Sequence, residues 1–243
     1  MDELRSAFER ISAIQTSARG MRLPLGVLLE ERLIGPEYSV ETLTIDSRTH
    51  VYGITSKRKH DIHQFTELGH AFPVLAGTAT GERICTFVTD LLGFLGYTNG
   101  PAHTEVVLTA DGPRLVEINP RVAGSDIPVL IEDVCESNPY LDALAVASGR
   151  TPAAGRPRQW SGVAFRLLVS RRAGRLIDVR GLDDARAALG VTSVECYTEP
   201  GADVRIPQDN TAYLGAVHAR AQCAAEAYLR ATAAADLISF NVA

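Results

Sequence analysis

The sequence predicts an α+β fold, in which an antiparallel sheet is flanked by helices and is followed by a small α+β unit. Segments with strand-type alternation meet at two tight turns, around Asp46-Ser47-Arg48 and around Asp111-Gly112. Such short turns join antiparallel neighbours, whereas parallel strands need a longer crossover connection. Apolar residues at helical spacing occur between these segments, most clearly over residues 82–95. The two periodicities together predict the mixed class.

The first part of the chain supplies most of the predicted sheet. Three- and four-residue spacing predicts a helix over residues 2–16, and an apolar run predicts a buried strand over 25–31. Residues 56–73 are polar at first, and we interpret them as a loop in which Lys57 belongs to a solvated basic run. The other predicted elements are the strands 38–45, 50–55, 103–108 and 113–119 and the helices 82–95, 128–135 and 138–148.

The second part begins after residues 151–159, which are rich in Pro, Gly and Arg and mark a domain boundary. We therefore predict two domains, 1–152 and 160–243. The elements expected in the second are the strands 163–170, 175–179, 194–198 and 203–206 and the helices 182–189 and 216–235.

Composition restricts the function to a few classes. The chain has 243 residues, is 46% hydrophobic and carries a formal net charge of −5, so neither nucleic acid nor an anionic membrane is a predicted partner. We find neither an apolar run of about 20 residues nor a secretory N-terminus, which predicts a cytoplasmic protein. The four cysteines lie far apart, which argues against a zinc or redox site. Small molecules are the expected partners.

The hairpin around Asp111-Gly112 carries the clearest chemical pattern. Period-two alternation places Glu117 and Asn119 on one face, and pairing across the turn places Glu105 opposite them. Neighbouring carboxylates repel unless a cation neutralises them, and oxygen ligands suit Mg²⁺ or Mn²⁺. Arg121, two residues further on, suits phosphate oxygens. The alternative, ordinary solvent-facing strand residues, stays open on spacing alone.

Several segments also resemble the ATP-grasp superfamily, and among its branches the L-amino-acid ligases that form dipeptides. The resembling segments are residues 28–41, 65–73, 100–106, 115–121, 124–128 and, for a C-terminal subdomain, 163–242. The resemblance implies an ATP-dependent carboxylate–amine ligase that acts on amino-acid-like substrates. Such an enzyme forms an acyl phosphate and then an amide or peptide bond.

The resemblance implies sites for the nucleotide and its metal ions. Glu31 and Leu33 would form the hinge that reads adenine, and Glu37 would bind the ribose hydroxyls. Two Mg²⁺ or Mn²⁺ ions would bridge the phosphates of ATP. Their implied ligands are Glu105, Glu117 and Asn119.

The resemblance also implies residues that act on the substrates. Glu67 would bind a substrate ammonium, and His70 would bind a carboxylate or the transferred phosphoryl oxygens. Arg121 would stabilise the acyl phosphate and the tetrahedral intermediate. The loop at Gly124 would bring backbone N–H groups close to an oxyanion, and Ser125 would leave a roomy or polar second pocket.

The resemblance covers the C-terminal part of the family pattern, without the preceding α/β domain and the Gly-rich lid with its lysine. Three interpretations stay open. The chain is a ligase whose N-terminal half is a separate polypeptide or is lost, a non-catalytic module that binds a metal-nucleotide or a partner, or a structural module. The expected partners are carboxylate and amine substrates, a separate N-terminal ATP-grasp polypeptide and a second copy in a homo-oligomer.

Overall fold

The computed structural model describes residues 2–16, 20–23, 26–59, 66–152, 161–207, 210 and 212–243. The chain forms two compact units, Met1–Leu33 and Ile34–Ala243. The first unit contains helix α1, Asp2–Ser12, which buries none of its residues. Residues 26–33 form neither helix nor strand, so the strand predicted there is wrong, and residue 25 lies outside the described residues. An apolar run becomes a strand only where a neighbour takes up its backbone hydrogen bonds.

The described part of the second unit contains the sheet and five further helices. Its strands are β1 Glu37–Ile45, β2 Arg48–Lys59, β3 Glu67–Phe72, β4 Gly100–Thr109, β5 Gly112–Asn119, β6 Gly162–Val169, β7 Gly174–Arg180, β8 Val191–Cys196, β9 Asp203–Val204, β10 Tyr213–Ala221 and β11 Ser239–Val242. Its helices are α2 Ala79–Phe94, α3 Ile127–Cys135, α4 Pro139–Ala147, α5 Leu182–Ala187 and α6 Ala224–Ala235. Among the described residues, no helix is long and apolar enough to cross a membrane.

One eight-stranded sheet dominates this unit, in the order β5-β4-β1-β2-β3-β6-β10-β8. Every described pairing in it is antiparallel, which confirms the predicted fold class. A smaller sheet has the order β11-β7-β9. The large sheet includes strands from both predicted domains, and residues 153–160 lie outside the described residues. The domain boundary there stays a prediction.

Helices cover both faces of the large sheet. One face packs against α2 through a core that includes Val40, Ile84 and Val88, and against α6 through a core of small residues. The opposite face carries α3, whose Ile127 and Leu130 pack with the buried Phe165. Successive side chains of a strand point to opposite faces, so β1 supplies Val40 to one core and Leu43 to the other. The candidate site lies on the α3 face.

Two further segments differ from their predicted structure. Strand β2 extends through Lys59, and residues 67–72 form β3, where a loop was predicted. Residues 216–221 belong to β10, where an alanine-rich helix was predicted. Strand β10 has β6 on one side and β8 on the other, so sheet pairing overrides the helical propensity of alanine. Residues 60–65 lie outside the described residues.

Candidate functional site

A row of side chains crosses five strands on the face that carries α3. Lys57 pairs with His70, and His70 pairs with Phe165. Phe165 pairs in turn with His218, which pairs with Ser193. Residues directly opposite each other on neighbouring strands share a face and are close enough to interact. The row therefore places His70 and His218 on either side of the buried Phe165 ring, with Lys57 beyond His70.

The β4–β5 hairpin places Glu105 directly opposite Glu117. A register shift between Glu105 and Val106 produces this pairing, because the register set by the turn would place Glu105 opposite Val116. Asn119 lies opposite His103, and its Nδ2 donates to Glu117 Oε1 at 2.7 Å. This contact leaves Asn119 Oδ1 as an acceptor. Glu117 is exposed and β5 is an edge strand of the sheet, so the predicted metal ligands face accessible space.

His103 is buried between two carboxylates. Its Nδ1 lies 2.9 Å from Glu41 Oε2, and its Nε2 lies 3.1 Å from Glu105 Oε1. Ser39 Oγ donates to Glu41 Oε1 at 2.7 Å. Burial alone would lower the pKa of His103, but the charge of Glu41 and the hydrogen bonds that His103 donates to Glu105 and Glu41 raise it to about 9. His103 is therefore an imidazolium at neutral pH.

Lys57 lies at the centre of a carboxylate cluster, which contradicts its interpretation as a solvated residue. Its Nζ lies 3.3 Å from Glu37 Oε1, 2.9 Å from Glu67 Oε1 and in contact with Glu105 Oε1. The side chain is 7% exposed. Burial would lower the pKa of Lys57, but the charges of Glu67 and Glu105 outweigh it and raise the pKa above its usual value. The Lys57 side chain therefore stays protonated and positively charged at neutral pH.

The same contacts keep the carboxylates ionised. Burial would raise the pKa of Glu105, but the hydrogen bond from His103 and the charge of Lys57 lower it to about 2. Burial likewise opposes ionisation of Glu67, whose pKa falls to about 2 because His70 and Lys57 are close. Both side chains can therefore serve as anionic ligands at neutral pH.

Glu67 is the first residue of β3, and His70 lies further along the same strand and is fully buried. His70 Nε2 is 3.2 Å from Glu67 Oε2, but among the described residues neither ring nitrogen has a partner in hydrogen-bond geometry. The imidazole makes an edge contact with Phe165 at a centroid distance of 5.0 Å. Buried polar atoms are normally hydrogen-bonded, so His70 is well suited to accept a ligand contact.

Arg121 and Gly124 lie where β5 runs into α3. Arg121 is exposed, and its Nη1 donates to the carbonyl of Val122 at 2.9 Å. A Cβ atom at Gly124 would lie 3.8 Å from Arg121 Nη1, so the two residues are neighbours. Ser125 has a φ of 53°, and Asp126 begins α3 without a side-chain capping bond. The guanidinium and this loop therefore lie side by side, and their roles stay predictions.

His218 extends the site in a way that sequence reasoning missed. Its Nδ1 is 3.0 Å from Ser193 Oγ, and its Nε2 is 3.2 Å from Asp126 Oδ2 without hydrogen-bond geometry. Its ring lies 5.4 Å from that of Phe165. The sequence carried no signal for this contact, because residues 216–221 were interpreted as helical.

The predicted adenine hinge is divided between the two units. Glu31 and Leu33 belong to the first unit, in a segment without helix or strand. Glu37 belongs to the second unit, where its carboxylate contacts Lys57 and Lys59. The nucleotide roles of these three residues stay predictions.

The hairpin fits a divalent metal ion by the chemistry of its donors. Glu105, Glu117 and Asn119 offer hard oxygen ligands, which Mg²⁺ prefers, and Mg²⁺ completes its octahedron with water and phosphate oxygens. Among the described residues, no group of three or more His, Cys, Asp or Glu side chains could hold a metal ion. The site therefore has to draw further ligands from an amide, from solvent or from a nucleotide.

Three relatives match parts of the chain. An uncharacterized protein (y4rH) of Sinorhizobium fredii is 30% identical over 73% of this chain and 36% of its own length. Dapdiamide A synthase of Enterobacter agglomerans is 28% identical over 50% of this chain and 28% of its own. Carnosine synthase 1 of Homo sapiens is 31% identical over 54% of this chain and 16% of its own length. The chain thus spans about a third or less of the length of these relatives.

Solved structures share the fold. The L-amino acid ligase of Bacillus licheniformis superposes with a TM-score of 0.76 at 22% identity, over 87% of this chain and 55% of that one. The biotin carboxylase domain of Hydrogenobacter thermophilus 2-oxoglutarate carboxylase was solved with MgADP and bicarbonate. It superposes with a TM-score of 0.62 at 13% identity, over 85% of this chain and 46% of that one. At these identities the likeness shows the fold alone.

Family models match most of the sequence. Residues 166–243 match the L-amino acid ligase C-terminal domain 2, and residues 1–129 match the ATP-grasp domain. These matches confirm the resemblance on which the predicted roles rest. The segments that carry it include the β4–β5 hairpin and β3, where the structure assembles the carboxylates and Lys57. The chain therefore belongs to the ATP-grasp family.

Proposed function

We propose that this chain forms part of an ATP-dependent carboxylate–amine ligase that acts on amino-acid-like substrates. An oxygen of the substrate carboxylate attacks the γ-phosphorus of ATP, and ADP leaves with the bridging oxygen. The amine nitrogen then attacks the acyl carbon, inorganic phosphate leaves, and the nitrogen loses a proton. The observation that carries the proposal is the pairing of Glu105 with Glu117 beside the cluster around Lys57.

The metal-binding role belongs to the hairpin in this proposal. Glu105, Glu117 and Asn119 would hold two Mg²⁺ or Mn²⁺ ions, which neutralise phosphate charge when bound. The pKa of Glu105, lowered to about 2, supports its role because the carboxylate stays ionised. Glu37 would accept from the ribose, and Glu31 and Leu33 would contact adenine.

The substrate roles belong to β3 and to the loop before α3. Glu67, an anion at neutral pH, would bind the ammonium of the acid substrate. His70 has free ring nitrogens among the described contacts and would donate to its carboxylate or to the phosphoryl oxygens. Arg121 would hold the acyl phosphate with its planar fork. Gly124 leaves room for an oxyanion to approach the backbone.

The test is turnover and binding by the same preparation of the full chain. ADP release and amide formation are measured by mass spectrometry with pairs of amino acids, and MgADP binding is measured by calorimetry. Glu117→Gln should reduce turnover about 100-fold or more. Glu199→Gln, a change of an exposed carboxylate outside the site, is the matched control.

Three outcomes are decisive. Unchanged turnover in Glu117→Gln contradicts the metal role. MgADP binding without product for any pair favours the non-catalytic module. Product that appears only when a separate N-terminal ATP-grasp polypeptide is added supports the split enzyme. A homo-oligomer and a cytoplasmic location complete the proposal, the latter because ATP is the co-substrate.

A further inference from the structure

Lys57 joins three carboxylates to which the proposed function assigns three different ligands. Glu37 is the proposed ribose ligand, Glu67 the ammonium ligand and Glu105 a metal ligand. The Lys57 ammonium contacts an oxygen of each, at 3.3 Å, at 2.9 Å and in direct contact with Glu105 Oε1. Its side chain is nearly buried, so little water competes for these contacts.

Removing this charge would take away the one cation that contacts all three of these carboxylates. Glu37, Glu67 and Glu105 have side-chain exposures of 14%, 17% and 13%. Ionised groups this shielded from water need cations or hydrogen bonds nearby. Lys59 contacts Glu37 alone among the three, so it compensates one carboxylate from the edge of the cluster. Lys57 compensates all three from the centre.

The positive charge of Lys57 also opposes the binding of a metal ion to Glu105. Glu105 Oε1 is contacted by Lys57 Nζ and also lies 3.1 Å from His103 Nε2. A divalent ion that binds Glu105 together with Glu117 would face the positive charge of Lys57 at close range. Like charges a few ångströms apart repel even in water.

We propose that Lys57 is a positioning residue. Its ammonium neutralises the carboxylates while no metal ion is bound, and its charge thereby sets the affinity of the site for the metal ion. When a metal ion draws Glu105 towards Glu117, the ammonium keeps Glu37 and Glu67 as partners, both already within reach. Metal binding is thereby linked to the proposed ribose and ammonium ligands. This inference rests on the proposed function, since it requires that the hairpin bind a metal ion.

The test compares how tightly the wild type and Lys57 variants of the full chain bind Mn²⁺ in the absence of nucleotide. The electron paramagnetic resonance signal of free Mn²⁺ measures the binding. Lys57→Met should bind Mn²⁺ about fivefold or more tightly than the wild type, because a nearby positive charge is gone. Its melting temperature should also rise more on addition of Mn²⁺. Lys57→Arg keeps the charge and should stay within about twofold of the wild type. Lys59→Met is the matched control, because it removes a charge from the same strand without touching Glu105.

The outcomes separate this inference from the proposed function. Equal or weaker Mn²⁺ binding by folded Lys57→Met overturns the inference alone. Absence of Mn²⁺ binding by every variant and by the wild type counts against the proposed metal site itself. If Lys57→Met does not fold, Lys57→Gln carries the same expectation. If neither folds, refolding with Mn²⁺ should rescue them, and failure to do so overturns the role of Lys57.

Discussion

Replacing Glu41 by Gln should lower the pKa of His103 and destabilise the fold at pH values below about 9. Glu41 holds His103 Nδ1 at 2.9 Å, and both side chains are buried. The substitution keeps the size of the side chain but removes its charge. The remaining carboxylate, Glu105, is a partial substitute because it contacts the other ring nitrogen at 3.1 Å.

The expected loss of unfolding free energy follows from the pKa shift of His103. Its pKa rises from 6.5 to about 9 on folding. At about 1.4 kcal/mol per unit, this shift gives about 3–4 kcal/mol as an upper bound. Because the folded state holds the proton more tightly, this stability is fully present below pH 6.5 and is lost as the pH rises through 9. Since two carboxylates share the effect, Glu41→Gln should cost about 1–2 kcal/mol at pH 6.

Urea unfolding at pH 6 and at pH 9.5 measures this difference, and proton NMR of the His103 ring measures its pKa. The destabilisation should be larger at pH 6, and the pKa of His103 should fall by about one unit or more. Glu199→Gln controls for loss of an exposed carboxylate. A destabilisation that is equal at both pH values, or an unchanged pKa of His103, would refute the reasoning.

Two further predictions concern the strands that support the site, and urea unfolding followed by circular dichroism tests both. Gly69→Ala should cost about 2 kcal/mol or more, because its φ is 149° and a Cβ atom would lie 2.1 Å from the carbonyl oxygen of Phe165. Tyr52→Phe should cost about 2 kcal/mol, because the Tyr52 hydroxyl donates to the buried Asp142 Oδ2 at 2.6 Å. A loss below about 0.5 kcal/mol, typical of surface positions, would contradict either prediction.

Local pattern was sufficient for much of the molecule. The Asp111-Gly112 turn predicts the hairpin, and Glu105 lies opposite the 117–119 stretch as expected. A register shift between Glu105 and Val106, which the turn does not predict, pairs Glu105 with Glu117 itself. The helices α2, α3 and α4 followed from apolar spacing, and the motifs placed the chain in its family. In these cases the information lies within about 20 residues of sequence.

Local pattern failed where the neighbour across the sheet decides. Residues 216–221 are rich in alanine, but β10 lies between β6 and β8, and pairing on both sides makes it a strand. The apolar run of residues 26–31 has the composition of a strand, yet it forms none in the described structure.

Short-range periodicity and motifs are sufficient to predict the α+β class, the ATP-grasp family and the hairpin that carries two carboxylates. Long-range strand pairing is needed to bury Lys57 as a counterion, to place Glu41 against His103 and to bring His218 to Asp126. Glu41 and His103 are 62 residues apart, and they meet because β1 lies beside β4 in the sheet. The order of strands follows from packing of the whole chain, and that order turns separate polar residues into one charged site.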